Sequence, residues 1–219
     1  MQKVMSVAAV LAVVVIGALV ATHAGSSGSV FAAMIDRMND IRTVRFEMQS
    51  EIKEAVKPFN LHATVTLAKP WSRYEVTALD QKVTRIMSSE NDKMLTLFET
   101  LKTAQLGDRK GQPAELQAND VIETFRNMKN QGAEYLGKES VSGIEAMKYR
   151  LTVKGDRHTV WIDPATNLPV QMTVTDVTEP EATMDLVTFS NFQWDVTVDP
   201  SQLSLEVPAG YQVTPSDQK

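Results

Sequence analysis

The sequence predicts a mainly β (α+β) protein: one curled antiparallel sheet of about eleven strands, closed over by a helical lid. Three observations point there. Apolar residues recur with period two through most of the chain, two stretches alone switch to helical spacing, and turn residues interrupt the runs at short intervals. No internal repeat and no second domain is visible.

The first helical stretch is Val30, Phe31, Met34, Ile35, Met38 and Ile41, with Asp36, Arg37, Asn39 and Asp40 on the other side. The period then becomes two. Val44, Phe46, Met48, Ser50 and Ile52 alternate with Arg45, Glu47, Gln49, Glu51 and Lys53, and Pro58 breaks the run. Phe59, Leu61, Ala63, Val65 and Leu67 then alternate with Asn60, His62, Thr64 and Thr66. Two such runs around a turn predict an antiparallel pair with one wet and one buried face. Further strands are expected at Trp71–Ala78, Lys82–Ser88, Lys93–Glu99 and Lys102–Leu106, with turns at Asp80-Gln81 and Glu90-Asn91-Asp92.

Gly107–Gln117 is polar and carries Gly and Pro, so it reads as a loop. A second helix is expected from about Asn119 to Asn130, opened by Asp120 and Glu123 in capping-box spacing and followed by Gly132. Its stripe is Val121, Ile122, Phe125 and Met128. Strands resume at Glu134–Glu139, Ala146–Lys154, Thr159–Asp163, Pro169–Thr175, Met184–Trp194 and Leu203–Val207. Pro164 and Pro169 are expected to stay out of a ladder interior.

Before all this stands Val4–Ala21, an uncharged apolar run preceded by Lys3 and followed by Thr22-His23-Ala24 and the flexible Gly25-Ser26-Ser27-Gly28-Ser29. Residues 1–24 therefore read as a signal peptide or an N-terminal membrane anchor, and 25–29 as a linker. Residues 30–213 are the folded domain and 214–219 a tail. Lys3 on the N-terminal side sends the body out of the cytoplasm, to the periplasm or cell envelope. The chain carries −5 net charge, and the body without Lys3 is one unit more acidic, which argues against nucleic acid as a partner. The absence of cysteine excludes a disulfide scaffold, a zinc ribbon, a thiol nucleophile and lipidation at the cleavage point.

A long sheet with one apolar face must cover that face, and two short helices cannot cover eleven flat strands. The sheet is therefore expected to curl, with the helices plugging the concavity. Such a chamber suits an apolar ligand. Nine of the eleven Met residues fall in the body, and flexible thioethers fit a pocket for variable alkyl chains or simply fill a core. Phe46, Met48, Leu61, Val65, Tyr74, Val76, Phe125 and Met128 share the inward phase. They are the candidate cavity lining, with a dry core as the alternative.

Nothing points to catalysis or a metal. His23, His62 and His158 show no metal-ligand spacing, and no nucleophile elbow, phosphate loop or dinucleotide fingerprint is present. His62 lies on the polar phase, and Asp156-Arg157-His158 reads as a surface turn. Trp71, Trp161 and Trp194 read as packing a sheet face or contacting a ligand. Arg73 reads either as lid or head-group support or as a solvated strand charge.

An ordered series of segments resembles a known family. It comprises Ala68-Lys69-Pro70 before Arg73-Tyr74-Glu75, then Val160-Trp161-Ile162-Asp163-Pro164, Leu168-Pro169-Val170 and Phe189 through Phe192 to Trp194. Val198-Asp199-Pro200-Ser201 and Val207-Pro208-Ala209-Gly210-Tyr211 close it. Across nearly all of residues 30–213 this resembles the bacterial outer-membrane lipoprotein carrier (LolA-like) superfamily, especially its secreted uncharacterised relatives. The resemblance implies an unclosed half-barrel whose cavity holds a lipid or lipoprotein acyl chain, with lipoprotein transport as its role and no cofactor. It also implies an alternative, an envelope-stress regulator that binds an anti-sigma factor or another envelope membrane protein. In the carriers an Arg commonly precedes the Pro matching Pro70 and helps hold the lid. Here Lys69 stands in its place, keeping the charge without the planar five-donor fork.

Overall fold

The computed structural model of the protein describes residues 30–52, 59–109, 121–153, 155–176 and 187–214. The leader, the linker, the Pro58 break, most of the polar loop, Asp120 and the start of the strand expected at Met184 lie outside the described residues. Among the described residues, no helix is long and apolar enough to cross a membrane.

Residues 30–38 form α1. The strands follow as β1 (Thr43–Ile52), β2 (Phe59–Ala68), β3 (Trp71–Ala78), β4 (Gln81–Ser88), β5 (Lys93–Phe98) and β6 (Thr103–Asp108). Then come α2 (Val121–Asn127), continued as a 3-10 turn through Asn130, and β7 (Glu134–Val141), β8 (Ile144–Val153), β9 (Asp156–Asp163) and β10 (Leu168–Asp176). The chain closes with β11 (Val187–Trp194), a 3-10 turn at Pro200–Leu203 and β12 (Gln212–Val213).

All twelve strands form one sheet, in the order β12-β6-β5-β4-β3-β2-β1-β11-β10-β9-β8-β7. Every pairing is antiparallel except that of β12 with β6, and the sheet is curled and unclosed. Its centre is β1, flanked by its hairpin partner β2 and by β11 from the far end of the sequence.

The period-two residues decide which face turns inward. Val44, Phe46, Val65, Tyr149, Val160, Ile162, Met172 and Phe189 join the stripes of α1 and α2 in one buried cluster. Each helix meets the inner face through a ring: Phe31 lies 5.3 Å from Tyr149, and Phe125 lies 6.1 Å from both Phe192 and Trp194. Trp194 stacks on Phe192 at 5.0 Å and donates from Nε1 to the Pro169 carbonyl. Met34, Met38, Met128 and Met172 are buried in this core.

The opposite face is not wet throughout. On β4–β6 the outward phase holds Ile86, Leu95, Leu97 and Ala104, and these need cover. Leu205, Val207 and Tyr211 of the C-terminal segment supply it, together with Trp71. The strand expected at Leu203–Val207 is therefore absent. Pro200 opens a 3-10 turn capped by Asp199, Leu203 is buried, and the segment crosses the outer face without a ladder until β12. Thr214, assigned to the tail, still donates its N–H to the Ala104 carbonyl at 2.8 Å.

Pro169 does enter a ladder, opposite Ile162. The register shifts between Pro169 and Gln171, and this bulge absorbs the missing donor. The β3–β4 hairpin turns on Leu79 and Asp80, both at positive φ (48° and 63°). That geometry matches the strand twist but suits Asn or Gly better than Leu.

Candidate functional site

Between α2 and one end of the sheet lies a cleft of about 150 Å³. Val121, Thr124 and Asn127 form its helical wall. Val153 of β8, Asp156 and His158 of β9, Met172 and Val174 of β10 and Phe189 of β11 form its floor. A cleft of this size, apolar at Val121, Val153, Met172, Val174 and Phe189 and polar at Thr124, Asn127, Asp156 and His158, takes a ring or a short alkyl segment. A whole acyl chain needs several times more room, so it enters only if the helices rise from the sheet.

The helices are held down by polar contacts at one corner. Arg126 of α2 donates from Nε to the Met38 carbonyl at 3.0 Å and from Nη2 to the Ile41 carbonyl at 3.1 Å. The Met38 carbonyl ends α1, where backbone acceptors are left over and a cation is favoured, and the Ile41 carbonyl lies in the link to β1. Arg126 also lies 3.4 Å from Glu123, and Glu123 lies 3.7 Å from Lys69 in the β2–β3 turn. Lys69 thus does reach the helical layer.

Arg73 does not. It alternates with inward Tyr74, so it points to the outer face, bonds Glu75 at 3.1 Å and donates to the Gln202 carbonyl at 2.9 Å. Its role is to hold the C-terminal segment, and the reading as lid support is corrected.

The eight candidate lining residues come together. Phe46, Val65, Phe125 and Met128 are buried, and Met48, Leu61, Tyr74 and Val76 pack partly exposed against the same cluster. None of them lines the 150 Å³ cleft, which opens beside them. In this closed arrangement they are packed side chain on side chain.

The surface-turn reading of His158 is overturned. It is 6% exposed, in phase with Val160 and Ile162 on the inner face, and its buried Nδ1 has no hydrogen-bond partner. Burial lowers its pKa, and nearby Asp156 opposes that shift more weakly. The phase with Val160 and Ile162 could have revealed it. His62, by contrast, is exposed as expected. Trp71 and Trp161 pack on the outer face, Trp161 under the Lys148 ammonium at 4.9 Å. Among the described residues no group of His, Asp or Glu could hold a metal ion.

Comparison with known proteins agrees with this architecture. Residues 107–214 match the model of a family described as "Predicted periplasmic protein (DUF2092)". A comparison with curated proteins found no match. Among solved structures, an uncharacterized conserved protein from Thermus thermophilus is 13% identical, with 84% of this chain and 98% of that one covered at a TM-score of 0.51. LprF from Mycobacterium bovis is 11% identical (85% and 97% covered, TM-score 0.48). A LolA superfamily protein from Nitrosomonas europaea is 9% identical (78% and 96% covered, TM-score 0.36). The Thermus likeness shows a shared fold. The chain is thus similar, over residues 107–214, to a family described as periplasmic.

Proposed function

We propose that the protein is an exported, non-enzymatic binding protein that holds a lipid or lipoprotein acyl chain against the inner face of its half-barrel. The observation that carries this reading is the continuity of the inner apolar cluster with the cleft under α2: Phe189 belongs to the cluster and lines the cleft. Binding energy comes from apolar burial, at about 0.8 kcal/mol per methylene. Part of it is spent on parting Arg126 from the end of α1. The eight candidate residues then become the lining, with Lys69 at the lid corner.

Native mass spectrometry of the full chain purified from membranes tests this, together with uptake of a fluorescent acyl probe. One bound amphiphile, or uptake of the probe by delipidated protein, is expected. The absence of both adduct and uptake overturns the reading.

The second reading, a tethered envelope regulator, draws on the apolar leader. A retained leader would fix the domain to the membrane instead of releasing a shuttle. Pull-down from cross-linked envelopes separates the two: a carrier yields lipoproteins, and a regulator yields one membrane partner.

A further inference from the structure

Across the inner face, one cross-strand row changes from apolar to polar. Phe46 pairs with Val65, Val65 with Tyr74, Tyr74 with Arg85, Arg85 with Thr96 and Thr96 with Gln105. The apolar end joins the cleft, since Phe46 lies 5.8 Å from Phe189. At the other end Arg85 is the one cation of the row. The neighbouring rows put Met87 and Met94 on one side of it and Val83 and Phe98 on the other.

Arg85 differs from the paired arginines of the chain. Arg37, Arg73, Arg109, Arg126 and Arg150 each lie beside a carboxylate. Arg85 is partly buried, its Nε is sealed from solvent with no hydrogen-bond partner, and no carboxylate pairs with it among the described residues. Burial alone lowers its pKa. A cation held on an apolar wall without a partner is costly, and an apolar side chain of similar volume would serve packing better. What the guanidinium offers in return is a planar fork for a carboxylate or phosphate, strengthened by the low dielectric around it.

We propose that Arg85 is the head-group anchor of the chamber, and that the ligand is an amphiphile with a single anionic head, a carboxylate or a phosphate. Thr96 and Gln105 lie beyond Arg85 to take up further head-group oxygens. Three strand spacings of about 4.8 Å separate Arg85 from Phe46. An acyl chain starting at Arg85 therefore runs over Tyr74 and Val65 to Phe46 and into the cleft. This inference rests on the lipid-binding reading and narrows its ligand class.

The test is binding of cis-parinaric acid and its methyl ester to the delipidated full chain, as wild type, Arg85→Met and Arg85→Lys. The acid should bind wild type about tenfold more tightly than the ester, a difference of about 1.4 kcal/mol. Arg85→Met should abolish that preference while keeping the ester affinity, and Arg85→Lys should keep part of it. Thermal melting accompanies the titration, and Arg85→Met should melt no lower than wild type. Oleate and oleoyl lysophosphatidate, used as competitors, then distinguish a carboxylate head from a phosphate head. Equal affinity for acid and ester, or displacement by neither competitor, overturns the anchor and leaves lipid binding standing. A markedly lower melting point for Arg85→Met also overturns it, because Arg85 would then be structural. Binding of neither probe to wild type removes the lipid-binding reading itself.

Discussion

Arg126 on α2 reaches the Met38 carbonyl at the end of α1, at 3.0 Å, and through it one short helix holds the other onto the sheet. Its second bond, to the Ile41 carbonyl, fixes the chain just before it enters β1. Removing this fork should cost about 1–2 kcal/mol, because charged donors to backbone acceptors exceed ordinary hydrogen bonds but this side chain is partly exposed. Arg126→Ala should lower the melting point and speed amide exchange across residues 30–41, leaving the β1–β2 hairpin protected. Arg126→Lys should fall between, since one ammonium cannot serve both carbonyls in the plane of a fork.

The Lys69–Glu123 pair should matter far less. Both side chains are about half exposed, at 60% and 49%. Exposed pairs contribute at most about 1 kcal/mol. In denaturant titrations Lys69→Ala is expected to shift stability by less than about 0.5 kcal/mol, with the shift vanishing in high salt. A larger loss would mean that the lysine is the true latch.

His158 makes stability depend on pH. Burial holds its pKa below the ordinary 6.5, so as pH falls the unfolded chain takes up a proton before the folded one does. The contribution of neutral His158 is complete above the unfolded value and is lost as pH drops beneath it. Melting points should therefore fall between about pH 7.5 and about pH 5.5, above the range where carboxylates titrate. His158→Gln should flatten that slope. Parallel slopes in the two proteins would assign the effect elsewhere.

Leu79 offers a stabilising change. Its φ of 48° is a conformation that costs an ordinary side chain about 1 kcal/mol, and 67% of the residue is exposed, so little packing is lost with it. Leu79→Asn is expected to raise stability by about 0.5–1 kcal/mol, read from the denaturation midpoint.

Much of this fold is legible along the chain because its signals are local. The alternation of Val44, Phe46 and Met48 against Arg45, Glu47 and Gln49 assigns both faces of β1, and the stripe Phe31–Met34–Ile35–Met38 assigns the buried side of α1. Leu203–Val207 misleads for the same reason. Its alternation of Leu and Val fits a strand, but its partner is the outward phase of β4–β6, and nothing within the segment says that it packs there without a ladder. The candidate site divides similarly. The phase places the eight candidate lining residues in one cluster, and Lys69 does meet α2. Arg126 is an ordinary last-turn base until α1 is docked against it. Arg85 shares the inward phase of Val83 and Met87, but a charge in that phase signifies nothing until its lack of a partner is seen. His158 is hidden by the polar Asp156-Arg157 before it.

Quenching by a brominated fatty acid in three single-tryptophan proteins reads whether an acyl chain lies on the inner face beneath the helices. Trp194 stands on the inner face against Phe125, whereas Trp71 and Trp161 pack on the outer face. Saturable quenching of Trp194 at one equivalent is expected, with Trp71 and Trp161 unaffected. Quenching of Trp71 or Trp161 with Trp194 untouched, or no saturable quenching at all, would contradict that placement of the acyl chain.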